Sequence, residues 1–294
     1  MIDRRHLLLG TAALVACTGV PAASRNAQSE RPEPDFAPII ATLGAGARLG
    51  VHALDTGSDR TIGHDADSRY AMCSTFKAPL AALMLSEIDA GRHSLADEVP
   101  VSRADLVPYA PVVEAALADG RMTIEALCVA AVQLSDNAAA NLLLARLGGP
   151  AGFTAFARRC GDNVTRLDRI EPEMNRVGPG DPRDTTSPAA MAGLMRALLL
   201  GDVLTPASRA RFAAWLEGTS TGLNRLRAGF PAGWRAGDKT GTAGAFSNDV
   251  AIAWPPGRAP LLIASYIDAP ASDAATRNAA HAAVARLAAV AFTP

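Results

Sequence analysis

Three short polar groupings place nucleophilic, cationic and amide side chains at spacings that acyl-transfer chemistry can use. In Ser74-Thr75-Phe76-Lys77 the serine stands where an extended segment gives way to a helix, so Lys77 falls one turn along on nearly the same face. A serine hydroxyl is a weak nucleophile without such a basic neighbour. The start of a helix also offers positive potential to a developing oxyanion. Taken alone, Ser74 reads more readily as a plain N-cap. Ser135-Asp136-Asn137 also precedes a helix and holds residue types that cap one. Lys239-Thr240-Gly241-Thr242 lies in a strand reading, where lysine and small polar groups suit an edge that grips a carboxylate. A solvated lysine that blocks edge-to-edge association fits that segment too.

The order and spacing of all three together are similar to those of penicillin-recognising serine enzymes. A fourth segment narrows the resemblance. Arg166 to Asn175, followed by Asp181 to Thr186, is too polar and too rich in Pro and Gly for regular structure, with charges of both signs at each end. It predicts an Ω-type loop over 166–186 pinned by internal ion pairs. With this loop the chain resembles the class A β-lactamases from about Phe36 to its C-terminus. The closest passages are Met72 to Lys77, Ser135 to Leu144 and Arg169 to Thr186.

That resemblance implies a role for each matching residue. Ser74 matches the acylated nucleophile and Lys77 the lysine beside it. Ser135 matches the hydroxyl that relays a proton to the β-lactam nitrogen, and Asn137 the amide that holds the substrate's side-chain carbonyl. Glu171 matches the general base, and Asn175 helps it hold the deacylating water. Lys239 matches the strand lysine, and Thr240 the hydroxyl near the substrate carboxylate. The backbone N–H groups of Ser74 and Thr242 match the oxyanion hole, and Arg169 with Asp184 the ion pair that closes the loop. The chemistry agrees, since an acyl-enzyme ester turns over only if a carboxylate base can activate a trapped water. Whether Lys77 or Glu171 takes the Ser74 proton stays open. A DD-peptidase, a covalent β-lactam sensor and a serine esterase share parts of this pattern but have no need of the Glu171 loop.

The chain departs from common members in places. Where many carry an arginine on the strand after Lys-Thr-Gly, Asn248 matches here. Arg225, in Gly222-Leu223-Asn224-Arg225-Leu226-Arg227, is expected to hold the substrate carboxylate instead, with Arg227 as an ion-pairing arginine. Cys73 resembles the cysteine of carbapenem-hydrolysing members, but its partner position matches Ala243. Cys128 matches half of another bridge whose partner position is Ala81, so no disulfide is expected. Thr242 keeps a second hydroxyl near the carboxylate site. Tyr109 matches an aromatic at the cleft mouth, as a stacking wall or as an ordinary half-buried ring. His52, His64, His93 and His281 have no Asp/Ser context, which speaks against a Ser-His-Asp triad.

The elements that must position these groups follow from periodicity. A helix over Phe36–Leu43, a strand over Arg48–Leu54 and a turn at Asp55–Ser58 precede a short return strand near Thr61-Ile62. Helices follow over Phe76–Ala90, Thr123–Ala131, Asn137–Leu147, Pro150–Arg159, Pro188–Leu200 and Pro206–Glu217. Strands at Arg235–Thr242, Ser247–Trp254 and Leu261–Ile267 lead to a final helix, Ser272–Ala291. The expected fold is α/β: an antiparallel sheet built from both chain ends and flanked by the terminal helices, with an all-α insertion and the active site between them. The boundaries are 30–72 and 218–294 for the α/β part and 73–217 for the all-α part. No repeat is visible.

With 294 residues, 49% of them hydrophobic, and a formal net charge of −1, nothing draws the chain toward nucleic acid or an acidic membrane. The reading is a small-molecule enzyme: a monomer acting on penicillins and cephalosporins, with no cofactor, metal or stable protein partner. Residues 1–24 read as a signal segment, with Arg4-Arg5 before the apolar run suggesting twin-Arg export, giving a periplasmic or secreted product. Leu14-Val15-Ala16-Cys17 resembles a lipobox, so anchoring through Cys17 is the alternative. Removing or lipidating Cys17 leaves Cys73, Cys128 and Cys160, an odd number without metal-ligand spacing.

Overall fold

Strands from both ends of the chain interleave in one antiparallel sheet. The computed structural model describes residues 33–293, so the signal segment, Arg4-Arg5 and Cys17 lie outside the described residues. β1 (Arg48–Asp55) lies between β2 (Thr61–His64) and β9 (Leu261–Asp268); β8 (Phe246–Trp254) follows, and β7 (Arg235–Ala243) forms the far edge. In register, Ala53 pairs with Ile263, Ala251 with Ile263, and Lys239 with Val250.

Successive side chains of a strand point to opposite faces, and β8 and β9 use both. Leu262, Ala264, Tyr266, Val250 and Ile252 join one core cluster with Phe76, Leu80, Phe153 and Phe212 of the helical part. Leu261, Ile263, Ile267 and Ala251 join a second cluster with Leu49, Val51, Val284 and Phe292. On that second face lie the terminal helices α1 (Ala37–Thr42) and α9 (Ala274–Phe292). Burial on both faces explains why these strands read as nearly continuous apolar runs.

The helical part holds α2 (Lys77–Asp89), α3 (Pro111–Ala115), α4 (Ile124–Gln133), α5 (Asn137–Arg146), α6 (Gly149–Arg159), α7 (Pro188–Leu200) and α8 (Pro206–Glu217). Thr123, Asp136, Ser187, Thr205 and Asp273 each cap a helix, the side chain accepting from the N–H three residues on. Five expected helix starts shift, four of them by a single residue. Cys73–Phe76 forms a tight 3-10 turn, so α2 begins at Lys77 rather than Phe76. The last helix begins at Ala274, where Asp273 rather than Ser272 caps it. Two small sheets lack any periodic signal: β3 (Tyr70–Ala71) with β6 (Thr185–Thr186), and β4 (Glu98–Pro100) with β5 (Arg121–Thr123). Among the described residues no helix is long and apolar enough to cross a membrane.

Candidate active site

The 3-10 turn at Cys73–Phe76 carries Ser74 against edge strand β7. Gly241 makes this approach possible, because a Cβ there would meet Met72 O at 2.8 Å and the Cys73 side chain at 3.1 Å. Lys77 Nζ donates to Ser74 Oγ at 2.9 Å and to the Ser135 carbonyl at 2.9 Å, and it also reaches Asn137 Oδ1. Its side chain is wholly buried and stands 3.1 Å from Glu171 Oε1. Burial lowers the Lys77 pKa by disfavouring the charged amine, and the Glu171 carboxylate opposes that shift.

The Ser135-Asp136-Asn137 segment divides its labour. Asp136 is structural: Oδ1 caps α5 through Ala139 N–H, and Oδ2 accepts the N–H groups of Val112 and Val113 at the start of α3. This fixes Ser135, held at φ +61°, with its hydroxyl between two lysines. Lys239 Nζ donates to Ser135 Oγ at 3.1 Å, and Lys77 Nζ reaches the same oxygen at 3.5 Å. Asn137 donates from Nδ2 to the Pro108 carbonyl, and its N–H bonds the Tyr109 carbonyl. Tyr109 itself is 60% exposed, which places an open ring beside Asn137.

Glu171 enters from the Ω-type loop. Asp184 closes that loop: its buried carboxylate accepts the N–H groups of Asp168 and Arg169 through Oδ1 and pairs with Arg169 Nε at 2.6 Å through Oδ2. Met174 packs beneath it with no exposed surface. Asn141 of α5, whose position had suggested no function, holds the Glu171 backbone at both ends by donating to its carbonyl and accepting from its N–H. The Glu171 carboxylate then lies 3.4 Å from Ser74 Oγ, and its other oxygen accepts from Asn175 Nδ2 at 2.6 Å. Asn175 Oδ1 is buried without a hydrogen-bond partner among the described residues.

The far end of the cleft is cationic and hydroxylic. Lys239 is fully buried, unlike the solvated edge lysine that its strand position also allowed. Burial, reinforced by the positive charge of Lys77, pushes its pKa down to about 7. Thr240 Oγ1 shares a 2.7 Å hydrogen bond with Thr221 Oγ1. Arg225 donates to Thr242 Oγ1 at 2.7 Å, to the Gly241 and Asn248 carbonyls, and to Asn278 Oδ1. It makes no ion pair with a carboxylate among the described residues. The Asn248 amide turns the other way, onto the Ala71 and Met72 carbonyls, and ties β8 to the segment before Ser74. Arg227 is an ion-pairing residue, on Asp238.

Cys73, Cys128 and Cys160 are unbridged. Burial pushes the Cys73 thiol up to about 12 and the Cys160 thiol up to about 11. His281 is enclosed between Ser265 and Ser247, and burial holds it well below the usual imidazole range. Its partners are two core serines rather than a Ser/Asp couple. No three His, Cys, Asp or Glu side chains converge as a metal site would require among the described residues.

The model of the Beta-lactamase enzyme family matches residues 34–292. The chain is 46% identical to the beta-lactamase AST-1 of Nocardia asteroides, over 94% of this chain and 92% of that one. It is 48% identical to the carbapenem-hydrolyzing beta-lactamase KPC of Klebsiella oxytoca, over 83% of each chain. Its fold is similar to the solved structure of the last common ancestor of Gram-negative bacteria (GNCA4) beta-lactamase class A. The TM-score is 0.85 at 54% identity, covering 88% of this chain and 98% of that one.

Proposed function

Because this chain belongs to the class A β-lactamases and hydrolyses β-lactam antibiotics, we propose that it does so through an acyl-enzyme on Ser74, with Glu171 as the base that removes it. One observation carries the reading: a single carboxylate, Glu171, lies 3.4 Å from Ser74 Oγ while bonded to Asn175. In acylation Ser74 Oγ bonds to the lactam carbonyl carbon, and its proton passes to the Lys77–Glu171 pair. Burial keeps Lys77 ready to be neutral. The developing oxyanion is held by the N–H groups of Ser74 and Thr242. As the C–N bond breaks, Ser135 hands its proton to the lactam nitrogen and recovers one through Lys77 or Lys239, both within reach of its hydroxyl.

In deacylation one water, held by the Glu171 carboxylate and the otherwise unpartnered Asn175 Oδ1, gives a proton to Glu171 and attacks the ester. Ser74 Oγ leaves with a proton, and the open-ring acid departs. Asn137 and Tyr109 line the side where the substrate's acyl group lies. Lys239, Thr240, Thr242 and Arg225 receive the ring carboxylate. No step of this scheme calls on a metal or cofactor.

The same reading assigns the α/β part to 30–72 and 218–294 and the helical part to 73–217, with the cleft between them. It makes the enzyme a monomer, exported to the periplasm on removal of residues 1–24, with a lipid anchor through Cys17 as the alternative. N-terminal sequencing of the exported product separates those two forms.

The deciding assay follows a chromogenic cephalosporin with the unmutated protein and with Glu171→Ala. Continuous turnover that is lost in the variant supports the scheme. A burst without turnover in the unmutated protein would make it a penicillin-binding protein, and unchanged turnover in Glu171→Ala would remove Glu171 as the base.

A further inference from the structure

Beneath the carboxylate end of the cleft, on the sheet face that looks toward α9, two acids meet with no base between them. Asp238 pairs in register with Ala251 and Thr240 with Asp249, so Asp238 and Asp249 are diagonal neighbours on one face of β7 and β8. Neither side chain is exposed. Asp238 Oδ1 contacts Arg227 Nε, and Asp249 Oδ2 accepts the Leu226 N–H at 3.0 Å. The remaining oxygens, Asp238 Oδ2 and Asp249 Oδ1, accept no hydrogen bond among the described residues. Gly222 closes over Asp238, because a Cβ there would lie 1.8 Å from Asp238 Oδ2.

Two adjacent buried carboxylates cannot both stay ionised, since each raises the cost of charging the other. We propose that Asp238 and Asp249 share one proton, and that this leaves Arg225 without a counter-ion so that it can receive the carboxylate of the substrate. The charge count follows from the contacts. One negative charge on the pair is matched by Arg227, which touches Asp238. Arg225, one residue before the Leu226 N–H that binds Asp249, keeps its own charge for Thr242 and what binds there. A second ionised acid would cancel it.

The surroundings agree. Burial raises the Asp249 pKa, the Asp238 charge raises it further, and Arg225 opposes both. Burial raises Asp238 as well, while Arg227 and Lys239 oppose that shift. The other charged or titratable groups around Arg225 are Lys239, the Cys73 thiol, and Arg277 and His281 of α9. Burial pushes the Cys73 thiol up and His281 down, which disfavours the charged form of each. Asp238 and Asp249 are positioning residues: they act on the substrate only through Arg225. The inference therefore rests on the carboxylate role given to Arg225 above.

Infrared spectroscopy of the whole enzyme at neutral pH tests the proton directly. The expected result is the carbonyl stretch of a protonated carboxylic acid that shifts in D2O, is kept in Glu171→Gln, is lost in Asp249→Asn and is moved or lost in Asp238→Asn. Asp249→Asn, which imitates the protonated acid, should keep KM for a carboxylate-bearing cephalosporin within about twofold. Absence of the band from the unmutated enzyme overturns the proposal and requires no variant to fold. Persistence of the band in Asp249→Asn, or a larger change in KM there, overturns it equally. Arg225→Ala separates the two readings: an unchanged KM with the band intact removes the carboxylate role of Arg225 and the purpose assigned to the pair, while the shared proton itself stands.

Discussion

Lys77 Nζ and Glu171 Oε1 stand 3.1 Å apart with neither side chain exposed to solvent. One group comes from the first residue of a helix and the other from the middle of an irregular loop, and both reach the same serine hydroxyl. A buried pair of this kind is costly to break, because the survivor is left as an uncompensated charge. Its persistence makes sense as a device for moving protons to and from Ser74.

Glu171→Ala should therefore stall the cycle after acylation rather than before binding. Mass spectrometry of the variant mixed with a penicillin is expected to show the intact protein plus one opened drug molecule. Turnover should fall by about 10²–10⁴-fold, the usual size of a general-base contribution. In Ser74→Ala no adduct should form while the melting temperature stays close to that of the unmutated protein. An adduct on Ser74→Ala would mean a different nucleophile.

Asp184 ties down both ends of the loop that delivers Glu171. Replacing it by alanine leaves two backbone N–H groups and Arg169 without their acceptor. We expect a stability loss of about 3 kcal/mol from the denaturant midpoint. Deacylation should slow more than acylation in stopped-flow traces, because Glu171 moves with the loop and Lys77 does not. Equal slowing of both steps would contradict this division.

Arg225 donates to Thr242 Oγ1 and, among the described residues, pairs with no carboxylate. Arg225→Ala should raise KM about tenfold or more for substrates bearing the ring carboxylate, the worth of a charge-assisted hydrogen bond. kcat should change less. An unchanged KM would move the role elsewhere, for instance to Arg277, which donates to the Gly244 carbonyl at the end of the same strand.

Lys239 links activity and stability to pH in opposite directions. Its pKa falls from the usual 10.5 to about 7 on folding, chiefly by burial. Above that value the folded protein loses the charge, so KM for carboxylate substrates should climb as pH passes 7. Between about 7 and 10.5 the unfolded chain binds the extra proton, so this group adds stability as pH rises. In Lys239→Met both slopes should flatten over that window. A KM that is level with pH in the unmutated enzyme would contradict the shift.

The helix and strand pattern was largely visible in the chain because its long elements are periodic and capped. Pro188–Leu200 and Pro206–Glu217 are bounded by Ser187 and Thr205 as their sequences suggest. The two-residue ladder of Tyr70-Ala71 with Thr185-Thr186 was hidden, since two residues show no period. The site divides in the same way. Ser74, Lys77 and Lys239 could be found because each belongs to a motif of fixed spacing. Asn141 gave no such sign, since its partner, the Glu171 backbone, is set by a loop fold rather than by sequence distance. Asp249 was equally silent: an acid within an apolar strand has meaning only once the neighbouring strand places Asp238 beside it.

The interleaving of early and late strands makes the sheet wait for the end of the chain. A ribosome that has released the chain as far as α8 has already produced the nucleophile, its lysine, Ser135 and Glu171. It has not yet made β7, so Ser135 lacks Lys239, nor β9, so one flank of β1 is still bare. The sheet closes only when β9 slots in beside β1. A product that ends before β7 lacks the strand that carries Lys239, and one that ends before β9 leaves the two halves of the sheet unjoined.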